Sequence, residues 1–234
     1  MAVVLEGGCR VSTMGEGSPQ VDGSLKVWNH IGKASGADAI SLRILEFDPG
    51  TSSVLCNDEC DEVLYLLEGS CTVVIDGNAY ELGPDTGVYL RPGQTMRVEN
   101  QDVVTFVSSQ CPADRVRDQS PGIARLSDQR AMPTGDRWYR VLIDAQVTQF
   151  VGSIPPGRAP DHFHEYEEVL FILRGEGRMW AGETNTPIGP GSCVYLPRRQ
   201  VHCVENTGEG ELRLLGVFYP AGSPSVRYAA DEHG

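Results

Sequence analysis

Three histidines and one glutamate stand at spacings that suit a divalent cation. Residues 157–175 read GRAPDHFHEYEEVLFILRG and hold His162, His164 and Glu168, and residues 191–206 read GSCVYLPRRQVHCVEN and supply His202. On an extended strand, residues two apart project to the same side, so His162 and His164 point together and Glu168 shares their parity. Neutral imidazole suits iron, manganese, nickel, cobalt, copper and zinc. The added carboxylate leans toward five- or six-coordinate ions, because closed structural zinc sites favour thiolates. Four protein ligands on an octahedral ion leave two positions for water, dioxygen or a chelating substrate. Taken singly, each histidine reads as an ordinary hydrogen-bonded residue. The metal reading comes from three of only five histidines falling at ligand spacing, while His30 sits in an apparent loop and His233 in the C-terminal tail.

The segments that must hold these residues are strands. The run EVLFILRG is branched and aromatic, short, and closed by glycine, which marks a buried strand rather than a helix. Further runs of this kind follow from residue 39: AISLRILEF, DEVLYLLEG, CTVVID, AYEL, GVYL, TMRVEN and VVTFVSS, then RWYRVLID, VTQFVGSI, RMWAG, SCVYL, VHCVEN and LRLLGVFY. Asp76-Gly77 is a hairpin signal. No stretch of useful length has helical period.

With the motifs in hand, the chain resembles the cupin family. That family's first motif is H-x-H, three residues, E, six residues and G, matched by His162-Phe163-His164, Glu168 and Gly175. Its second is G, five residues, P-x-G, two residues, H, three residues and N, matched by Gly191, Pro197, His202 and Asn206. Gly157 lies one residue closer to His162 than the pattern has it. Arg199 occupies the position of the second motif's glycine, so that turn is expected to find another conformation or a longer loop. The resemblance implies an all-β fold of small antiparallel jelly-roll barrels with a metal ion inside.

The β segments occur twice. Glu62 and Glu168 stand 106 residues apart, as do Gly69 and Gly175, Val88 and Val194, and Asn100 and Asn206. A constant offset is an internal repeat, and the resemblance becomes one to two-barrel cupins. The expected layout is an N-terminal arm over 1–37 that packs on a neighbouring barrel or subunit, a first barrel over 38–110, a linker over 111–136 with a short helical turn near 122–129, a second barrel over 137–222 and a tail over 223–234. The same offset places Cys56, Asp58, Glu62 and Met96 where the second barrel has its four ligands. Methionine is a poor partner for a hard cation, so the first barrel is read as having lost its metal, serving structure, dimerisation or ligand binding. Cys56 and Cys60 are read as buried small apolar residues.

Parity also nominates a pocket. Tyr166, Leu170, Ile172 and Val204 should face inward, and Glu165, Glu167 and Cys203 outward. Gln149 is polar within an apolar strand and, with Tyr166, is a candidate substrate contact. Arg140, Arg174, Arg178, Arg198 and Arg199 crowd this half, and one could hold a substrate carboxylate bidentately. Tyr195 and Trp180 are read as packing residues, and no second carboxylate stands out as a general base.

A formal net charge of −13 over 234 residues argues against nucleic-acid or anionic-membrane partners. Seven cysteines without framework spacing fit reduced thiols. With no apolar run near twenty residues and no leader pattern, a cytoplasmic chain is expected. The function expected is that of a mononuclear metal enzyme, with iron or manganese favoured over nickel, cobalt or zinc, acting on a small polar hydroxy, oxo or carboxylate compound. Family precedent leans toward a dioxygenase. An isomerase, decarboxylase or lyase, and a non-enzymatic binding protein, are the alternatives. A homodimer is expected from precedent and from the edges an antiparallel barrel offers.

Overall fold

The computed structural model describes residues 2–113, 122–225 and 228–229. Among these there are strands and three short 3-10 turns but no α-helix, so no helix is long and apolar enough to cross a membrane. The strands form two antiparallel barrels, each made of a large and a small sheet. In the C-terminal barrel the large sheet runs Val3–Val4, Arg10–Thr13, Ser192–Leu196, Glu167–Arg174, Leu212–Tyr219, Thr148–Ile154, Arg137–Asp144 and Met132–Thr134. Its small sheet centres on His202–Asn206, flanked by Gly177–Ala181 and by His162–Phe163, with Thr184–Ile188 beyond Gly177–Ala181. The N-terminal barrel repeats this plan, with a large sheet of Ile123–Arg125, Thr86–Leu90, Cys60–Glu68, Val104–Pro112, Leu42–Phe47, Leu25–Ile31 and Gln20–Asp22.

Strand alternation builds three cores rather than two. From Glu167–Arg174, Leu170 and Ile172 enter the C-terminal barrel, whereas Val169 and Phe171 face the other barrel. From Cys60–Glu68, Leu64 and Leu66 fill the N-terminal barrel, whereas Val63 and Tyr65 join the same inter-barrel layer. That layer gathers Ile40, Leu42, Ile44 and Tyr89 against Leu142, Val151, Leu215 and Val217. Strands covered on both faces become continuous apolar runs, which is why EVLYLLEG and EVLFILRG lack polar alternation.

The repeat is also visible in the motif residues that do not bind metal. Gly69 and Gly175 have φ of +85° and +87°, and a Cβ on either would come within 2.7 Å of the Val103 carbonyl and 2.9 Å of the Glu211 carbonyl, respectively. Asn206 donates to the carbonyls of Ile154 and Gly210 at 2.8 and 2.7 Å, and Asn100 donates to those of Phe47, Asp48 and Asp102. Each asparagine thus satisfies loop carbonyls that burial would otherwise strand. Asp76 and Gly77, both with positive φ, form the two-residue hairpin turn.

The structure redraws the segments read as arm and linker. Arg10–Thr13 pairs with Ser192–Leu196 of the C-terminal barrel, and Ile123–Arg125 pairs with Thr86–Leu90 of the N-terminal barrel. Each barrel's edge is therefore covered by the segment that precedes the other barrel. Leu25–Ile31, also inside the supposed arm, is a sheet strand and carries His30, which bonds Ser12 Oγ rather than sitting in a loop. The linker holds a 3-10 turn at Leu126–Asp128 and strands at Ile123–Arg125 and Met132–Thr134, while residues 114–121 lie outside the described residues. Glycine and serine composition hid these strands, because short edge strands need little apolar content. Cys56 is exposed and Cys60 only half-buried, so the pair is not the apolar filler expected of it.

One carboxylate joins the barrels. Glu167 is buried and accepts hydrogen bonds from the amides of Asp38, Ala39 and Ile40 at 2.9, 2.8 and 3.1 Å and from the Tyr195 hydroxyl. Replacing Glu167 by alanine leaves these donors without an acceptor, and is expected to cost about 3 kcal/mol or more, with Glu167→Gln costing less. Urea unfolding of both variants checks this. A Glu167→Ala midpoint equal to that of the parent protein would contradict the clamp.

Candidate metal centre

Three imidazoles converge inside the C-terminal barrel. One ligand atom each from His162, His164 and His202 lies within 4.8 Å of the others. With metal–nitrogen bonds of about 2.1 Å, trans ligands on one ion stand about 4.2 Å apart and cis ligands about 3 Å, so the trio needs only small adjustments to share an ion. The strand pairing sets this up, since His162 and His202 are direct cross-strand partners and His164 follows two residues on.

Second contacts fix which nitrogen of two rings faces inward. The Nδ1 of His162 lies 3.1 Å from the Pro160 carbonyl and that of His202 lies 2.7 Å from the Gln200 carbonyl, which makes both Nδ1 atoms donors and leaves Nε2 as the coordinating lone pair. His164 is stacked on Tyr166 with ring centroids 4.8 Å apart and planes at 13°.

Glu168 sits beside this trio from the adjoining large sheet. Its Oε2 is 3.8 Å from His164 Nε2 and 3.6 Å from His202 Nε2, is buried, and has no hydrogen-bond partner. Burial pushes the Glu168 carboxyl up to about 8 and the His202 imidazole down to about 4. An orphaned carboxylate oxygen next to three imidazoles, in a site that penalises every charge, is a donor set that a divalent cation would satisfy. The residues therefore fit a divalent ion.

The turn beneath the site corrects one expectation. Arg199 has φ of +61°, the left-handed conformation that glycine would adopt, and its amide donates to the His164 carbonyl at 2.7 Å. The corresponding Gly93 has φ of +79° and donates to the Asn57 carbonyl. The loop is neither longer nor rerouted. Arginine accepts the strain, and its side chain pairs with Glu165 at 2.8 Å on the surface.

A cavity of about 90 Å³ opens onto the site, with His162, His164, Glu168 and His202 at its floor. Its walls are mainly apolar, including Phe150, Ile154, Leu170, Val204, Leu214 and Phe218, with Trp138, Arg137, Ser153 and Thr134 also lining it. Leu170 and Val204 face inward as parity predicts, while Ile172 lies deeper in the barrel core.

Neither nominated substrate residue lines this cavity. Gln149 projects from the opposite face of Thr148–Ile154, where Phe150, Gly152 and Ile154 take the inward positions. Its amide lies in the inter-barrel layer against Gly87 and Leu142, with both side-chain polar atoms buried and unpaired. Tyr166 backs His164 and donates its hydroxyl to the Ser223 carbonyl at 3.0 Å, so it supports a ligand rather than reaching a substrate.

The five arginines singled out also lie elsewhere. Arg140 bonds the Leu126 carbonyl, Arg174 pairs with Glu211, Arg178 bonds Asn185, Arg199 pairs with Glu165, and Arg198 is exposed. The cavity's arginine is Arg137, which was passed over. Its signal was alternation, because Arg137 and Tyr139 share the inward parity of RWYRVLID. Cys203 faces out, bonded by Arg158 Nε at 3.3 Å, and Trp180 packs under the same guanidinium, as a structural role requires.

Comparison with known proteins agrees with this geometry. The cupin domain family matches residues 150–218. Over 68 residues the chain is 35% identical to an oxalate-binding protein of Thermotoga maritima, covering 28% of this chain and 56% of that protein. Over 83 residues it is 33% identical to auxin-binding protein 1 of Arabidopsis thaliana, covering 31% of this chain and 42% of that one. The matches thus span about half the length of these relatives. Among solved structures, a mutant of Bacillus subtilis oxalate decarboxylase superposes with a TM-score of 0.76 at 13% identity, over 94% of this chain and 79% of that one. Protein Ylba from E. coli superposes with a TM-score of 0.79 at 13% identity, over 93% of both chains. Residues 150–218 carry a cupin domain, and the fold of the chain is that of a two-barrel cupin.

The electrostatics give a test in the metal-free protein. Glu168 titrates near 8 in the folded state and near 4.3 when unfolded, and His202 near 4 and 6.5. Between about pH 6.5 and 8, Glu168 acts alone: the folded state keeps a proton that the unfolded chain has released, so stability falls as pH rises. Below about pH 6.5 the two effects oppose, because the unfolded chain takes a His202 proton that the folded state refuses. Thermal melts in chelator should show the decline from pH 6.5 to 8, and Glu168→Gln or a bound divalent ion should flatten it. A flat profile for the chelated parent protein would show that Glu168 is not held protonated.

Proposed function

We propose that the C-terminal barrel is a mononuclear metal enzyme in which His162, His164, Glu168 and His202 hold one divalent ion and Arg137 receives the carboxylate of a small organic acid. The observation that carries this is the convergence of three oriented imidazoles and an unpartnered, buried Glu168 oxygen at the floor of a cavity that also contains a guanidinium. Iron or manganese suits the mixed nitrogen and carboxylate set. Manganese draws further support from the Mn(II) centres of the Bacillus subtilis oxalate decarboxylase whose fold this chain shares.

A bound ion would act as a Lewis acid on a chelating carboxylate or carbonyl. The chain's own residues do the rest. Arg137, whose Nε lies 3.4 Å from Asp136, places its guanidinium at the cavity wall, where a substrate carboxylate would meet it. Phe150, Leu214 and Phe218 exclude water and strengthen each charge interaction inside. The cavity, about 90 Å³, suits a small organic acid.

We read the chemistry there as non-oxidative cleavage or proton transfer, of the decarboxylase or lyase kind. Two similar proteins lend support, one an oxalate-binding protein and the other an oxalate decarboxylase that shares the fold. Dioxygenase chemistry is the second reading, since four protein ligands leave two positions on an octahedral ion. A binding protein without turnover is the third, and the match to an oxalate-binding protein favours it specifically.

One experiment separates them. Protein reconstituted with Mn(II), Fe(II) or Zn(II) is offered two- to four-carbon mono- and dicarboxylic acids, with carbon dioxide release measured anaerobically and oxygen uptake measured in air. Anaerobic release supports the lyase reading. Oxygen uptake stoichiometric with substrate loss replaces it with the dioxygenase. Tight binding of an acid without turnover by any metal form leaves the binding protein. His202→Ala and Glu168→Ala should each lower bound metal to background. Arg137→Met should keep metal content and raise KM about tenfold or more. Unchanged KM in Arg137→Met would remove the arginine from the site.

A further inference from the structure

Three arginines line a cleft of about 370 Å³ at the junction of the two barrels. Arg140 and Arg213 come from strands of the C-terminal barrel. Arg125 ends the edge strand that covers the N-terminal barrel, and the loop from Gly83 to Thr86 belongs to that barrel itself. Backbone hydrogen bonds tie these pieces together. The Leu126 amide donates to the Asp85 carbonyl at 2.9 Å, and the Leu126 carbonyl accepts from Arg140 Nη1 at 3.1 Å. Arg125 Nη2 donates to the Glu81 carbonyl at 3.1 Å. Two of the three guanidiniums are thus anchored on neutral carbonyls, which hold them in place without neutralising them.

The acids nearby do not cancel this charge. Among the described residues lining the cleft, Asp85 is the one carboxylate, and its Oδ1 accepts from the Tyr65 hydroxyl rather than from an arginine. Arg213 makes one ion pair, a long one, with Nε 4.0 Å from Glu211 Oε1, while Glu211 Oε2 is taken by Arg174 at 3.2 Å. Three guanidiniums against one carboxylate leave the wall a formal surplus of two positive charges, in a chain of net charge −13. The guanidinium carbons of Arg140 and Arg213 lie 5.4 and 5.5 Å from the centre of the same Trp138 ring. The ring face holds both cations, so like charges are gathered at one place. The Nε of each is buried without a hydrogen-bond partner. An anion seated between them would relieve the repulsion.

From this we infer that the cleft between the barrels binds a compact dianion of the phosphate class, held by Arg125, Arg140 and Arg213. The surplus of two charges matches a phosphate or phosphomonoester dianion, and the oxygens of a phosphoryl group accept guanidinium forks from several directions at once. The cleft shares no ligand with the histidine cluster, so the inference does not depend on what the C-terminal barrel catalyses. Its groups come from both halves of the chain, so a bound anion bridges them and raises the unfolding temperature by mass action.

The test uses the full chain in chelator, so that no metal draws the anion to the histidines. Isothermal titration with inorganic phosphate at about pH 8, where it is the dianion, with chloride holding the ionic strength, should find one site with a Kd of about 1 mM or below. Ser127→Glu, at an exposed position on the cleft wall, adds a negative charge without removing an arginine and should weaken binding about tenfold or more. Arg125→Gln, also at an exposed position, should do the same. Phosphate should change the tryptophan emission of the parent protein, and Trp138→Phe should remove that change. Glycerol 3-phosphate identifies the source: tighter binding than phosphate points to the phosphoryl group of an organic compound, weaker binding to the free ion, and either result supports the site. Absence of phosphate binding overturns the inference. So does binding unaltered in both Ser127→Glu and Arg125→Gln, or an emission change that persists in Trp138→Phe, since the anion must then lie elsewhere.

Discussion

A carboxylate buried inside a small barrel must be neutralised, and that requirement organises both halves of this chain. The repeat delivers a glutamate to the same interior position twice. In one barrel Arg43 meets Glu62 at 2.6 Å, with Ser108 and Gln110 completing its hydrogen bonds. In the other, Glu168 Oε2 has no donor and faces three imidazoles. An isolated buried charge costs too much to persist, so the second carboxylate must carry a proton or meet a cation. The two barrels are therefore two answers to one electrostatic problem, one closed by a guanidinium and the other able to take a cation.

The surroundings of Glu168 follow from strand alternation at one short stretch. Glu167 and Glu168 are neighbours, so they emerge on opposite faces of one strand. Glu168 enters the barrel, and Glu167 enters the inter-barrel layer to take the amides of residues 38–40. The position of the candidate metal ligand and the docking of the N-terminal barrel are set by adjacent residues on a strand whose two faces are both buried. This strand has little freedom to slip, since a shift of one residue would exchange the two carboxylates. Such rigidity is what a coordination site needs from its scaffold.

Much of this was legible in the residues. The ligand set, the repeat, the hairpin at Asp76-Gly77 and the β character of each long apolar run depend on local spacing, and the structure brings the histidines together as spacing required. The misreadings share a cause. Gln149 was assigned to the cavity because a polar residue in an apolar strand suggests function, yet both faces of that strand are buried, so polarity could not say which face. Arg137 was missed because it sits at the start of a strand, where inward parity is easily taken for a solvated end. The exchange of Arg10–Thr13 and Ile123–Arg125 between barrels is a long-range pairing that no local pattern encodes. Arg199 took the glycine conformation because its amide bond to the His164 carbonyl and its salt bridge to Glu165 offset the strain of φ at +61°.

The same geometry explains why a barrel without the histidine set persists. Its large sheet is not an appendage, because Leu42, Ile44, Val63 and Tyr65 form half of the apolar layer against which the Glu167–Arg174 strand packs. The reciprocal edge strands bind the halves further, with each barrel missing an edge if the other unit's leading segment is removed. Loss of ligands at Cys56, Asp58 and Met96 touches none of these contacts. What the fold demands of the N-terminal barrel is an outer face and a neutralised glutamate. Arg43 satisfies the second demand, with Ser108 and Gln110 completing the hydrogen bonds of Glu62.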